Sequence, residues 1–129
     1  MKNWFFGAFS IVHGLVHLWY VVLLQGLVEF TEDMAWTGNS WILSSFLGES
    51  SLKLLASSGY SLSTLGFVVG GGLILMGNDI WRTFLLTSAV LSSLIIVLFW
   101  DGNLSMIIEK GLIGLLINLA IIYFIQWMN

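Results

Sequence analysis

Two histidines stand four residues apart in the stretch His13-Gly14-Leu15-Val16-His17, inside a long apolar run from residue 4 to residue 24. Residues at that spacing share one face of a helix. Two imidazoles on one face are candidate ligands for zinc, iron or copper. They are equally a proton-handling and hydrogen-bonding pair for a polar ligand. His13 lies nine residues beyond Trp4, about 13 Å along a helix axis and close to the middle of a bilayer. An ionisable side chain at that depth is costly, so it turns to the interior of a bundle and finds a partner. His13 and His17 are therefore the candidate metal ligands and the candidate floor of a ligand pocket.

A metal needs more donors than two. Glu29, Asp101 and Glu109 are the acids nearest the same half of the membrane. Each has a plainer use, as part of a solvated face, a turn or a helix start. The zinc-protease pattern with a glutamate directly after the first histidine is not met. A heme held by this pair is excluded, because both rings leave one helix face. The chain has no cysteine, which removes thiol catalysis and iron–sulfur clusters. Asn118, about halfway along the last apolar run, is placed to bond His13 or His17 across a bundle. If a ligand titrates the pair, its binding changes between about pH 5 and 8.

The elements that would hold these residues follow from composition. Of 129 residues, 58% are hydrophobic and 9% charged, against about 25% charged in soluble domains. So short a chain cannot bury that much apolar surface in a core of its own, so its solvent is lipid. The net charge of −3 argues against nucleic acid as a partner. Gly70-Gly71-Gly72 lies within an apolar run and lacks the strand-to-helix setting of a phosphate loop. Four segments approach the roughly 20 apolar residues a span requires: 4–24, 60–77, 81–100 and 106–127. The first has no small-residue cleavage site after it and reads as a retained span rather than a signal peptide.

The expected fold is all-α: a four-helix transmembrane bundle forming a single membrane domain over residues 1–129. Residues 25–59 form a partly helical interfacial cap between the first two spans, with short helices at 41–47 and 51–58 stopped by Gly48 and Gly59. Asn78-Asp79-Ile80 and Asp101-Gly102-Asn103 are tight turns, so the last three helices run up, down and up. Trp4, Trp81 and Trp127 mark one membrane face, and Trp36, Trp41 and Trp100 the other. The basic residues favour both termini in the cytoplasm of a prokaryotic cell. Gly7, Ser10 and Gly14, then Gly66 and Gly70, then Thr83, Thr87, Ser88 and Ser92, then Gly111 and Gly114, supply the small-residue faces along which helices approach in lipid.

Three further stretches accompany His13-Gly14-Leu15-Val16-His17-Leu18: Trp36-x-Gly38-x-Ser40-Trp41, Phe99-Trp100-Asp101-Gly102 and Lys110-Gly111. In these the chain resembles a set of small bacterial four-span membrane proteins without an assigned activity. More loosely it is similar to the DoxX-like four-helix membrane proteins, whose first helix often has a histidine-glycine step. The resemblance covers most of the chain and implies fold and topology, with no activity. Its matched positions, His13, His17, Trp36, Trp41, Trp100, Asp101 and Lys110, gather near one face in the expected topology.

The functional expectation is an integral membrane protein with a polar intramembrane pocket opening to the outer face. His13 and His17 form its floor, Asp101 and Asn118 its walls, and Trp36 and Trp41 its lid. A metal ion, a quinone-like molecule or a lipid would be the ligand, with redox work one use of it. No catalytic residue stands out. The first rival is a non-catalytic accessory subunit of a larger membrane complex. The second is a small oligomeric transporter, which needs a continuous polar path. Partners are the lipid bilayer and other membrane proteins or further copies of the chain. The first two readings divide on whether His13 and His17 face a cavity or a packed interior.

Overall fold

The computed structural model describes residues 3–29, 39–105 and 107–128, with only the backbone of residue 109. Trp36, expected in the lid, and the side chain of Glu109, a candidate ligand, lie outside the described residues. Among those described, the protein is helical throughout. α1 spans Trp4–Leu24, α2 Glu49–Met76, α3 Trp81–Leu98 and α4 Ile113–Trp127. All four lie in helices long and apolar enough to cross a membrane, counting the α4 segment from Lys110. Helices suit this setting because each satisfies its own backbone where no water can. The protein is a four-helix, multi-pass membrane bundle.

α2 differs from expectation at its start. The helical piece expected at 51–58 is its first two turns, and Gly59 does not stop it. A stop glycine takes a positive φ, and Gly59 does not. Instead Gly59 makes room: Ile95 of α3 sits where a Cβ would be. The true stop is Gly77, at φ 73°, where Asn78 N–H reaches the Leu73 carbonyl at 2.9 Å. At 28 residues α2 is about 42 Å long and outruns the roughly 30 Å hydrocarbon core. The Glu49–Lys53 pair, at 2.7 Å, occupies the overhang. The other cap helix, expected at 41–47, is a single 3-10 turn at Leu43–Ser45.

α1 lies along α2, α2 along α3 and α3 along α4, while α1 and α4 meet at few points. Small residues set the close approaches. A Cβ on Gly71 would stand 2.6 Å from the Gly7 carbonyl oxygen, and one on Gly14 2.6 Å from Phe67 Cβ. Gly70 admits Leu85 of α3 in the same way. Thr83 and Thr87, expected on a packing face, are exposed on α3, while Ser88 and Ser92 are inside.

The core has three layers. Near the chain termini Phe67, Ile74, Trp81, Leu85, Ile121 and Ile125 pack together. At the opposite end Leu24, Leu52, Tyr60, Ile95, Ile96 and Phe99 do so. Between them lies a polar layer made of His13, His17, Thr64, Ser92 and Asn118, all buried.

Candidate functional site

The polar layer is a hydrogen-bonded circuit that closes on itself. His17 Nδ1 lies 2.9 Å from the backbone carbonyl oxygen of His13. His17 Nε2 lies 2.5 Å from Ser92 Oγ. Asn118 Nδ2 is 2.8 Å from the same Ser92 oxygen. Asn118 Oδ1 is 2.8 Å from His13 Nε2. Three helices, α1, α3 and α4, are thereby tied at one level.

One atom fixes the direction of every bond, taking the imidazoles as neutral. The His13 carbonyl only accepts, so His17 Nδ1–H must donate to it. His17 Nε2 is then the lone-pair nitrogen and accepts the Ser92 hydroxyl. With its proton so used, the Ser92 oxygen accepts from the Asn118 amide. Asn118 Oδ1 therefore faces His13 and accepts from Nε2–H. The two histidines are locked in opposite tautomers, and His13 keeps an Nδ1 lone pair outside the circuit. That Nδ1 makes no hydrogen bond to a described residue and is not sealed from the surface. His13 as a whole is 6% exposed.

Apolar groups frame the circuit. Phe67 of α2, fully buried, meets His13 edge-on at 4.9 Å between ring centroids and His17 at 5.5 Å. Thr64 Oγ1 donates to the Gly14 carbonyl at 2.9 Å, holding α1 to α2 beside the rings. Phe9, one turn before His13, lies parallel to its imidazole at 6.1 Å. These contacts make a packed interior, and neither histidine lines either of the two clefts described below.

The donor set does not suit a metal ion. Both nitrogens of His17 and one of His13 are engaged by protein groups. Among the described residues no three His, Cys, Asp or Glu side chains gather, where zinc takes three or four ligands. Glu29 is exposed in the loop after α1.

Asp101 and Trp41 are held by bonds at the far end of α3. Asp101 Oδ2 pairs with Lys110 Nζ at 2.9 Å, and both side chains are largely buried. Lys110 also donates to the Asn103 carbonyl at 3.3 Å. Partial burial pushes the Asp101 carboxyl up, but the hydrogen bonds from Lys110 and the Asn103 N–H, with the Lys110 charge, outweigh it. The carboxyl is held below its ordinary value. The pair clasps the turn from α3 to α4, which reverses at Gly102 and Gly111, with φ 80° and 116°. Trp41 and Ser40 cap the end of α3, where helix carbonyls lack partners. Trp41 Nε1–H donates to the Val97 carbonyl at 2.8 Å and its backbone N–H to Trp100 at 2.7 Å. The Ser40 hydroxyl donates to the Leu98 carbonyl.

Two clefts matter for ligands. One, of about 260 Å³, lies beneath Trp41 and Trp100 and is walled by Ile96, Val97 and Leu115. It sits where the pocket was expected, but its lining is apolar and the histidines are not part of it. The other, of about 420 Å³, runs between α1 and α4 in the half nearer the termini, lined by Phe5, Phe6, Phe9, Ile117, Ile121 and Phe124, with Asn3 as its polar residue. Its wall residue Phe9 is the one that lies parallel to His13, and neither His13 nor Asn118 lines the groove.

The structure brings His13, His17 and Asn118 together with Ser92, which the sequence did not assign to them. Depth carried the missing signal. Ser92 is eleven residues beyond Trp81, and Asn118 nine before Trp127, about 16 and 13 Å from the same face, bracketed by His13 and His17. No protein-family model, curated protein or solved structure matches the chain.

Proposed function

We propose that this membrane protein binds a lipid-soluble, ring-bearing ligand from within the bilayer, in the groove between α1 and α4, with His13 as its polar anchor. One observation carries the reading: Phe9, a wall of the aromatic groove, lies parallel to the imidazole of His13, the histidine with an uncommitted acceptor nitrogen. The groove's volume is within the usual range for small-molecule sites, about 300–1,000 Å³. Its phenylalanines offer stacking faces to a planar ring. An acyl chain alone would fill the apolar part and leave the acceptor unanswered, whereas a ring lipid that carries a hydroxyl can donate to it. The site opens sideways to lipid rather than to the outer face, and the circuit serves as a rigid mount for the His13 ring. No metal ion is part of the reading.

A second reading has its own support. Phe5 is 86% exposed and the backbones of α1 and α4 approach each other at few points, so the same groove would seat an apolar helix of a partner. The chain would then be a non-catalytic accessory subunit. The two readings separate in protein purified in mild detergent, extracted with organic solvent and analysed by mass spectrometry. Ala120→Trp plugs the groove, and Thr87→Trp serves as a control on the exposed α2–α3 face. A ring lipid near one per chain in wild type and Thr87→Trp, lost in Ala120→Trp, is the expected result. Lipid content unchanged by the plug counts against the ligand site. An empty groove, with a photo-crosslinker at residue 120 capturing a partner helix, supports the subunit.

A further inference from the structure

We infer that the α2–α3 face is a dimer interface, where a second copy of this chain docks and its hydroxyls answer those of Thr87 and Ser88. This face shares no lining residue with the α1–α4 groove, so the inference stands apart from the ligand reading.

A cleft of about 330 Å³ runs along this face between α2 and α3. Leu62, Leu65 and Phe84 wall it, and Thr83, Thr87 and Ser88 bring three hydroxyls to it. Ser88 is only 4% exposed. Its Oγ stands where a Cβ on Gly66 would be, so a glycine at 66 is what admits it. That oxygen makes no hydrogen bond to a described residue and is not sealed from the surface, so it opens on the cleft it lines. Thr83 and Thr87 are exposed, and their hydroxyls also make no bond to a described residue. Thr64 and Ser93 behave differently, each donating to the carbonyl four residues before it.

Depth decides what can meet these hydroxyls. Thr87 and Ser88 lie six and seven residues beyond Trp81, about 9 and 10 Å along α3 from the residue that marks the membrane face. The surroundings there are hydrocarbon, where an unanswered hydroxyl costs free energy. Acyl chains offer no donor or acceptor. A second copy offers both. Copies inserted with one topology carry the same hydroxyls at the same depth. Each hydroxyl donates and accepts, so like can meet like across a two-fold axis along the bilayer normal. No charged side chain lines the cleft, so the axis brings no like charges together. Gly66 and the hydroxyl residues keep its floor low, which lets a helix approach closely in lipid. A helix of another protein would need hydroxyls at the matching depth, which a second copy has by identity.

The natural absence of cysteine makes the test direct. Thr83→Cys and, as a control on the exposed face of α4, Tyr123→Cys are oxidised with copper phenanthroline in liposomes at high lipid-to-protein ratio. The expected result is a disulfide-linked dimer from Thr83→Cys and monomer from Tyr123→Cys. Energy transfer between donor- and acceptor-labelled full chains, diluted stepwise with lipid, then gives the dissociation constant. Thr87→Val removes one interhelical bond from each copy and should weaken the dimer about eightfold, from two bonds of the strength usual between membrane helices. Ser88→Ala should act in the same direction. Neither hydroxyl bonds within its own chain, so the unfolding of the monomer in detergent should be unchanged by either variant. Monomer at every dilution, with no Thr83→Cys crosslink, would mean that lipid covers this face and would overturn the inference. Crosslinking through Tyr123→Cys instead would place association elsewhere and overturn it too. A dimer that Thr87→Val and Ser88→Ala leave as tight as wild type would overturn the hydroxyl pairing.

Discussion

Asn118→Leu isolates the circuit from the rest of the bundle. The side chains are similar in size, position 118 is fully buried, and the change leaves no large cavity. Two interhelical bonds vanish, to His13 on α1 and to Ser92 on α3. Such bonds in membranes average about 0.6 kcal/mol and reach about 1.7. The pair is therefore worth about 1–3 kcal/mol, the upper end applying if His13 Nε2–H is left stranded. The assay is reversible unfolding in bicelles, with a double-mutant cycle against His13→Leu. A coupling of about 0.6–1.7 kcal/mol is expected. A matching cycle of Ser92→Ala with His17→Leu reports the other half of the ring. His17→Leu with Asn118→Leu, which share only Ser92, should couple by a few tenths of a kcal/mol. A cost for Asn118→Leu below about 0.3 kcal/mol, with additive cycles, would refute the view that the polar layer ties the helices.

Gly59→Ala places a methyl against Ile95 and should cost about 1–3 kcal/mol by overpacking; Ile95→Val should restore part of it in the same unfolding assay. Gly14→Ala meets Phe67 Cβ, which cannot rotate away, so a thermal shift at least as large is expected with no rescue by shortening a side-chain tip. Asp101→Asn leaves Lys110 largely buried without its countercharge and should cost about 3 kcal/mol at pH 7. Because the folded carboxyl titrates below its unfolded value, the ion pair's contribution is fully present above the unfolded pKa of about 4. It is lost as pH falls through the lower, folded value. Wild type and Asp101→Asn should thus converge in melting temperature only in strong acid, and a constant gap down to pH 2 would contradict the pairing. Trp41→Phe removes the indole donor to Val97 and should cost about 1 kcal/mol, read as faster hydrogen exchange at the end of α3.

The spans were legible because lipid imposes a length and a composition that any window of residues displays. Asn118 was legible because an amide at mid-depth must find a partner. Ser92 was not. A hydroxyl in a membrane helix usually satisfies itself on its own backbone, as Ser10, Ser63 and Ser93 do here with the carbonyls four residues before them. Its residue type does not mark Ser92 as the exception; only its depth, level with the histidines, does. Gly59 reads as a stop by type, and only the arrival of Ile95 from another helix makes it a contact. Asp101 with Lys110, and Ser40 with Trp41 on α3, belong to irregular turns where no periodicity reports which side chains meet.

The imidazole tautomers report the direction of the circuit directly. ¹⁵N spectra of selectively labelled histidine in nanodiscs, assigned by His13→Leu and His17→Leu, distinguish a protonated Nδ1 from a protonated Nε2. The structure requires His13 to carry its proton on Nε2 and His17 on Nδ1. Two histidines in the same tautomer, or a His17 protonated on Nε2 alone, would contradict it.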